Sequence, residues 1–162
     1  MKFKYHLAGS CIVAAASAGI LYAMDTDISP NTLILCSVAV ILGGNFPDVD
    51  TKSTPSKIYA LMIVLTFPIL YYTGMIWYWI AFLAPFIAAQ MSKHRGWTHS
   101  VWFVLSLVGL VIVAESISLS IPDELEWIKQ IILKFDLQIV CFSIGVITHL
   151  FLDSKFLKRF GR

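Results

Sequence analysis

A membrane-embedded, all-α bundle of about six helices, with one short amphipathic helix on its outer surface, is the fold this sequence predicts. Three observations predict it. Long apolar runs recur six times, charged residues are scarce, and the basic residues gather on alternate connections. Apolar residues make up 58% of the 162 positions and charged residues 14%, well below the roughly 25% usual in soluble domains. The length fits one domain over residues 1–162. A net charge of +2 provides no basic surface for nucleic acid.

The six runs extend from Leu7 to Met24, Asn31 to Phe46, Ile58 to Thr73, Met75 to Met91, Val101 to Leu119 and Leu137 to Leu152. A spanning helix needs about 20 apolar residues, so several are short. Bilayer thinning and polar ends reaching the interface accommodate such spans. A soluble bundle of buried helices is the alternative, and six consecutive apolar runs weigh against it. Spanning strands fit poorly, because the runs exceed about 9–11 residues and do not alternate. Lys2 and Lys4 before a run containing AAASAG resemble a signal peptide. The run is long for one, and the rest of the chain is itself membranous, so it is read as a retained helix.

Between the fifth and sixth runs, Pro122-Asp123-Glu124 has the composition of a helix start. Leu125, Ile128, Ile131, Ile132 and Phe135 follow near helical spacing. An amphipathic helix on the outer surface over Ile121 to Phe135 is expected. Cys11, Cys36 and Cys141 lie inside apolar runs without metal-binding spacing and are read as small packing residues.

Charge provides an independent check. With a cytoplasmic N-terminus and one crossing per run, the cytoplasmic side holds Lys2, Lys4, Lys52, Lys57, Lys93, Arg95, Lys155, Lys158, Arg159 and Arg162. The other side keeps only Lys129 and Lys134, beside Asp25, Asp27, Asp123, Glu124, Glu126 and Asp136. This is the positive-inside pattern, and it puts both termini in the cytoplasm. Tyr71, Tyr72 and Trp77 to Trp79 mark the outer interface, with Tyr5, Tyr59, Trp97 and Trp102 at the inner one.

Under this topology His6, His94, His99 and His149 all fall at cytoplasmic helix ends, as do Asp48 and Asp50 in NFPDVD and Asp153 in HLFLD. His149 and Asp153 are four apart and share one helix face. Pro47 stiffens the chain where the second run ends, so Asp48 and Asp50 can bind an ion or orient a histidine that does. His94 and His99 need a turn between them to converge, and Gly96 permits one. Thr98 and Ser100 can supply supporting hydrogen bonds. Each residue also has an ordinary role: a histidine at the interface, Asp48 in a turn, Asp50 as a helix cap, Arg95 as a topology charge. Together they form a His/Asp ligand set suited to a divalent ion: zinc first, manganese or iron otherwise. Glu115 lies toward the opposite face and stays outside the set.

The order His6, PDVD at Pro47 to Asp50, HRGWTHS at His94 to Ser100 and HLFLD at His149 to Asp153 resembles the YdjM-like family of bacterial inner-membrane proteins, read as metal-dependent hydrolases. More distantly the order is similar to that of zinc-dependent phospholipase C and P1-type nucleases. The family pattern often continues past the final aspartate with a Thr-Pro and glycine element, where this chain has SKFLKRFGR. The resemblance implies a bacterial inner-membrane hydrolase with its metal site at the cytoplasmic face. Its ligands would come from His6, Asp48, Asp50, His94, His99, His149 and Asp153. Asp50 is the expected general base, and Arg95 would hold the phosphate of a small-molecule or lipid substrate. The alternative is a non-enzymatic membrane protein with a structural or transport metal site. Transport calls for polar groups near the bilayer midplane, which the runs nearly lack.

The topology predicts that a reporter fused after Arg95 reads as cytoplasmic. A periplasmic readout there would break the one-face arrangement of the ligands.

Overall fold

A computed structural model describes residues 3–50, 53–74, 76–91, 97–119 and 126–154. Six α-helices follow in order: α1 (Phe3–Met24), α2 (Pro30–Asn45), α3 (Thr54–Tyr72), α4 (Ile76–Met91), α5 (Val101–Leu119) and α6 (Glu126–Asp153). Short 3-10 turns occupy Phe46–Asp50 and Trp97–His99. No strand occurs among the described residues. Three stretches there are long and apolar enough to cross a membrane: Phe3–Met24, Pro30–Val49 and Thr54–Tyr72. Large apolar side chains such as Ile12, Val64, Leu65, Val101 and Ile112 are exposed on their helices. A lipid-facing surface accounts for them, because lipid tails do not penalise an exposed leucine.

Local chemistry sets the helix ends. The Asp25 carboxylate accepts the Asp27 N–H at 3.0 Å and forms the turn after α1. Ser29 then caps α2 by accepting the Thr32 N–H at 3.1 Å, and Pro30 takes the first helical position, where no N–H is needed. Ser53 caps α3 by accepting the Ser56 N–H, with Pro55 in the first turn. The cap is therefore Ser53, and not Asp50 as expected, because the 3-10 turn carries Asp50 instead. Gly74, at φ 73°, follows α3 in a left-handed conformation that suits glycine.

The expected amphipathic helix over Ile121 to Phe135 is not a separate element. Residues 121–125 lie outside the described residues, and from Glu126 one 28-residue helix runs unbroken to Asp153. Neither proline nor glycine occurs between Glu126 and Ile144, and Asp136 alone does not stop a helix. Trp79 also ties α4 to α3. Its indole N–H donates to the Ile63 carbonyl at 2.7 Å, and its ring meets Phe67 edge-on at 4.9 Å.

The chain divides into two compact units, Met1–Asn45 with Val101–Arg162, and Phe46–Ser100. In the first, α2 packs along α6, α1 lies against both, and α5 covers α6. Three rows of residues spaced four apart meet there: His6, Ser10 and Ala14 on α1; Cys36, Val40 and Gly44 on α2; Cys141, Gly145 and His149 on α6. All of them are buried. Such rows are the ridges that pack into grooves between helices. Cys36 and Cys141 fill the core with Ala14 and Val40, the packing role expected of them, while Cys11 is exposed. In the second unit the Phe46–Asp50 turn sits against α3, α4 and the Trp97–His99 turn.

Glycine sets the α2–α6 distance. A Cβ at Gly43 would lie 2.0 Å from the Phe142 carbonyl oxygen, and one at Gly145 would lie 2.1 Å from that of Val40. Backbone cannot yield as a flexible side chain can. Gly145→Ala should therefore destabilise the detergent-solubilised protein by about 1–3 kcal/mol or more. Gly109→Ala, with open space around it, should be neutral or stabilising by up to about 1 kcal/mol. Comparison of the two variants in thermal unfolding tests the crossing.

Candidate functional site

The polar ends of these rows carry the site. In the first unit His6 and His149 are fully buried, at 1% and 0% exposure. Their rings stack with centroids 4.0 Å apart and planes 18° from parallel. His6 Nε2 lies 3.5 Å from Asp153 Oδ1. A ring nitrogen of His149 lies within 4.8 Å of an Asp153 carboxylate oxygen, and likewise of a His6 ring nitrogen.

The tautomer of His149 follows from its partner. Its Nδ1 is 2.9 Å from the Gly44 carbonyl oxygen. A carbonyl only accepts, so Nδ1 carries the proton and a neutral ring keeps its lone pair on Nε2. A backbone carbonyl that orients a histidine in this way is the usual support of a metal-binding imidazole. The α1 side is held similarly. Ser10 Oγ donates to the His6 carbonyl at 2.7 Å, and a Cβ at Gly44 would lie 1.9 Å from that same Oγ. Gly44 thus offers its carbonyl to His149 and leaves room for Ser10.

The second unit holds a smaller version of the same chemistry. His99 Nε2 lies 3.6 Å from Asp48 Oδ1. Thr98, fully buried, donates its hydroxyl to the Pro47 carbonyl at 3.3 Å. Its oxygen then serves as acceptor for His99 Nδ1, 3.4 Å away, which directs Nε2 to Asp48. Thr98 therefore has the supporting role expected from sequence. Of the remaining candidates, Asp50 ends the 3-10 turn, and its side chain lies outside the described set. His94 and Arg95 lie outside the described residues altogether.

Both imidazole–carboxylate separations exceed the roughly 2.7–2.9 Å of a charge-assisted hydrogen bond. They are close to the separation of two donors that share one tetrahedral ion at about 2.0–2.1 Å each, which is roughly 3.3 Å. In the first unit His6 and Asp153 stand at this separation, and a His149 ring nitrogen lies within 4.8 Å of each of these two residues; a catalytic zinc site uses three protein donors and keeps a position open.

The family model for the YdjM inner membrane protein matches residues 1–157. This chain belongs to the YdjM inner membrane protein family. The match spans all four motifs, from His6 to Asp153. No curated protein and no solved structure matches the chain, so the more distant likeness to phospholipase C and P1-type nucleases rests on motif order alone. Gly44, Gly145 and Ser10 were not among the candidate residues that the sequence pattern offered. The available signal was a spacing of four between small residues and the histidines, which places them on the same helix ridges.

The Gly44 contact predicts that ¹⁵N NMR of His149 shows a protonated Nδ1 and an unprotonated Nε2 near neutral pH. The reverse tautomer would remove the lone pair from the face shared with His6 and Asp153.

Proposed function

We propose that this YdjM-family protein is a multi-pass, membrane-embedded, metal-dependent hydrolase, with both termini and its site at the cytoplasmic face. The observation that carries the reading is the grouping of His6, His149 and Asp153, in which the buried Gly44 carbonyl contact leaves the His149 lone pair on Nε2. Two buried imidazoles and a partly exposed carboxylate form a donor set that suits zinc, with manganese or iron as alternatives. A bound divalent ion supplies Lewis acidity and lowers the pKa of its water to about 7.

The protein's own residues supply the rest. His6, His149 and Asp153 would hold the ion, and the two rings are buried. In the Phe46–Ser100 unit, Asp48 and His99 offer the carboxylate and imidazole that ligation or proton transfer uses. His94 extends the ligand set. Asp50 would act as the general base toward water, and Arg95 would bind the substrate anion. A phosphoester is the substrate class that a cationic group at the cytoplasmic interface favours, with a phospholipid headgroup as its source.

Metal analysis of protein purified without chelators is the first test. Wild type should carry a transition metal in stoichiometric amount, and His149→Ala and Asp153→Ala should lose it. Wild type without metal would end the reading, and unchanged metal in both variants would end the ligand assignment. Phospholipid vesicles then test the reaction, through metal-dependent release of water-soluble phosphate. Stoichiometric metal without such release would leave the non-enzymatic metal site as the reading.

A further inference from the structure

Pro47, Asp48 and Val49 present three consecutive backbone carbonyls, and each accepts a hydrogen bond from a side chain elsewhere in the same unit. Thr98 Oγ1 donates to Pro47 at 3.3 Å, and Ser53 Oγ donates to Asp48 at 2.7 Å. Gln90 Nε2 donates to Val49. Gln90 spends its second amide proton on Ser56 Oγ, at 2.7 Å. The ring closes through Ser53, whose Oγ also accepts the Ser56 N–H at 3.3 Å. Three side chains thus hold one short turn, from the start of α3, the end of α4 and the Trp97–His99 turn, and Ser56 ties two of them together.

Backbone carbonyls outside regular helix need partners near a membrane, and one carbonyl satisfied would be ordinary. Three in a row, around Asp48, whose carboxylate faces His99, amount to a clamp on that residue. Gln90 is the member that comes from α4. It places a primary amide on α4 in an otherwise apolar sequence, IWYWIAFLAPFIAAQM. Its carbonyl-facing group must be the amide NH₂, because Val49 O only accepts.

We propose that Gln90 is a positioning residue that sets the Asp48 carboxylate against His99, acting through the Val49 carbonyl, with Ser53 and Thr98 completing the clamp. The inference deepens the proposed function, because Asp48 and His99 belong to its ligand and proton-transfer set. It nevertheless rests on geometry that exists without an ion. Loss of Gln90 frees the turn to rotate, and Asp48 leaves His99 while the helices stay folded.

Cross-linking in the full chain separates the two ideas. Cys11, Cys36 and Cys141 are replaced by serine, and Asp48→Cys with His99→Cys is oxidised by copper phenanthroline in vesicles. Disulfide formation is read by loss of maleimide labelling. Gln90→Glu keeps the shape but, when ionised, donates no hydrogen bond. Gln90→Met keeps the volume without the donor, and serves if the glutamate variant does not accumulate. Either should slow cross-linking roughly tenfold, as two lost hydrogen bonds allow. The His6→Cys with Asp153→Cys pair, in the other unit, should cross-link at an unchanged rate. An unaltered Asp48/His99 rate would overturn the proposal, and so would equal slowing of both pairs, which marks general loosening. The cysteine variants lack the ligands in question. A chain that binds no metal would therefore end the proposed function and leave this result standing.

Discussion

The direct backbone contact between α2 and α6 is the constraint on which the His6 cluster depends. Gly43 and Gly44 on one helix and Gly145 on the other leave no room for even a methyl group. Helices in lipid gain little from hiding apolar surface, so they associate where small residues let backbones meet and pack. The contact has a chemical consequence beyond packing. It brings the Gly44 carbonyl, which lies near the end of α2, within 2.9 Å of a histidine ring one turn past Gly145. A helix with a larger residue at either place would hold that ring farther away and leave its tautomer unset.

From this contact the site builds outward by helical periodicity. Gly145, His149 and Asp153 follow one another at intervals of four, so whatever positions the glycine positions the other two side chains. His6 and Ser10 repeat the interval on α1, with Ser10 fitted into the space Gly44 leaves. One ridge per helix therefore carries small residues where backbones touch and polar residues where the ridge ends. The same economy appears in the Phe46–Ser100 unit by other means. There no glycine contact sets the geometry. Side-chain donors from Ser53, Gln90 and Thr98 hold the carbonyls of a 3-10 turn instead.

Much of the fold was legible because apolar runs and charge asymmetry are properties of the chain itself. The Val101–Leu119 helix matches its run, and α1, α2 and α4 differ from theirs by a few residues at most. α3 starts earlier than its apolar run because capping by Ser53, and not hydropathy, decides where it begins. The amphipathic segment before the last run merged with it, since composition marks a change of environment and not an end of hydrogen bonding. In the site, the HLFLD pair was legible from spacing alone, while the partnership of His6 with it was not. Gln90 was hidden for a related reason: a single amide at the end of an apolar run reads as an interface residue until its acceptors are known.

Sequence alone determined the class of this protein: helical, membrane-embedded and of the YdjM family, with histidines and aspartates in four short motifs. Those features depend on composition and on neighbours along the chain. Tertiary structure decided which donors meet. It joined His6 on α1 to His149 and Asp153 on α6, and Asp48 to His99 across two turns. It also chose the proton-bearing nitrogen of His149. The physical reason is that these relations depend on the closest distance between backbones, which glycine and buried hydrogen bonds set, and no pattern along one helix states which other helix will supply the partner.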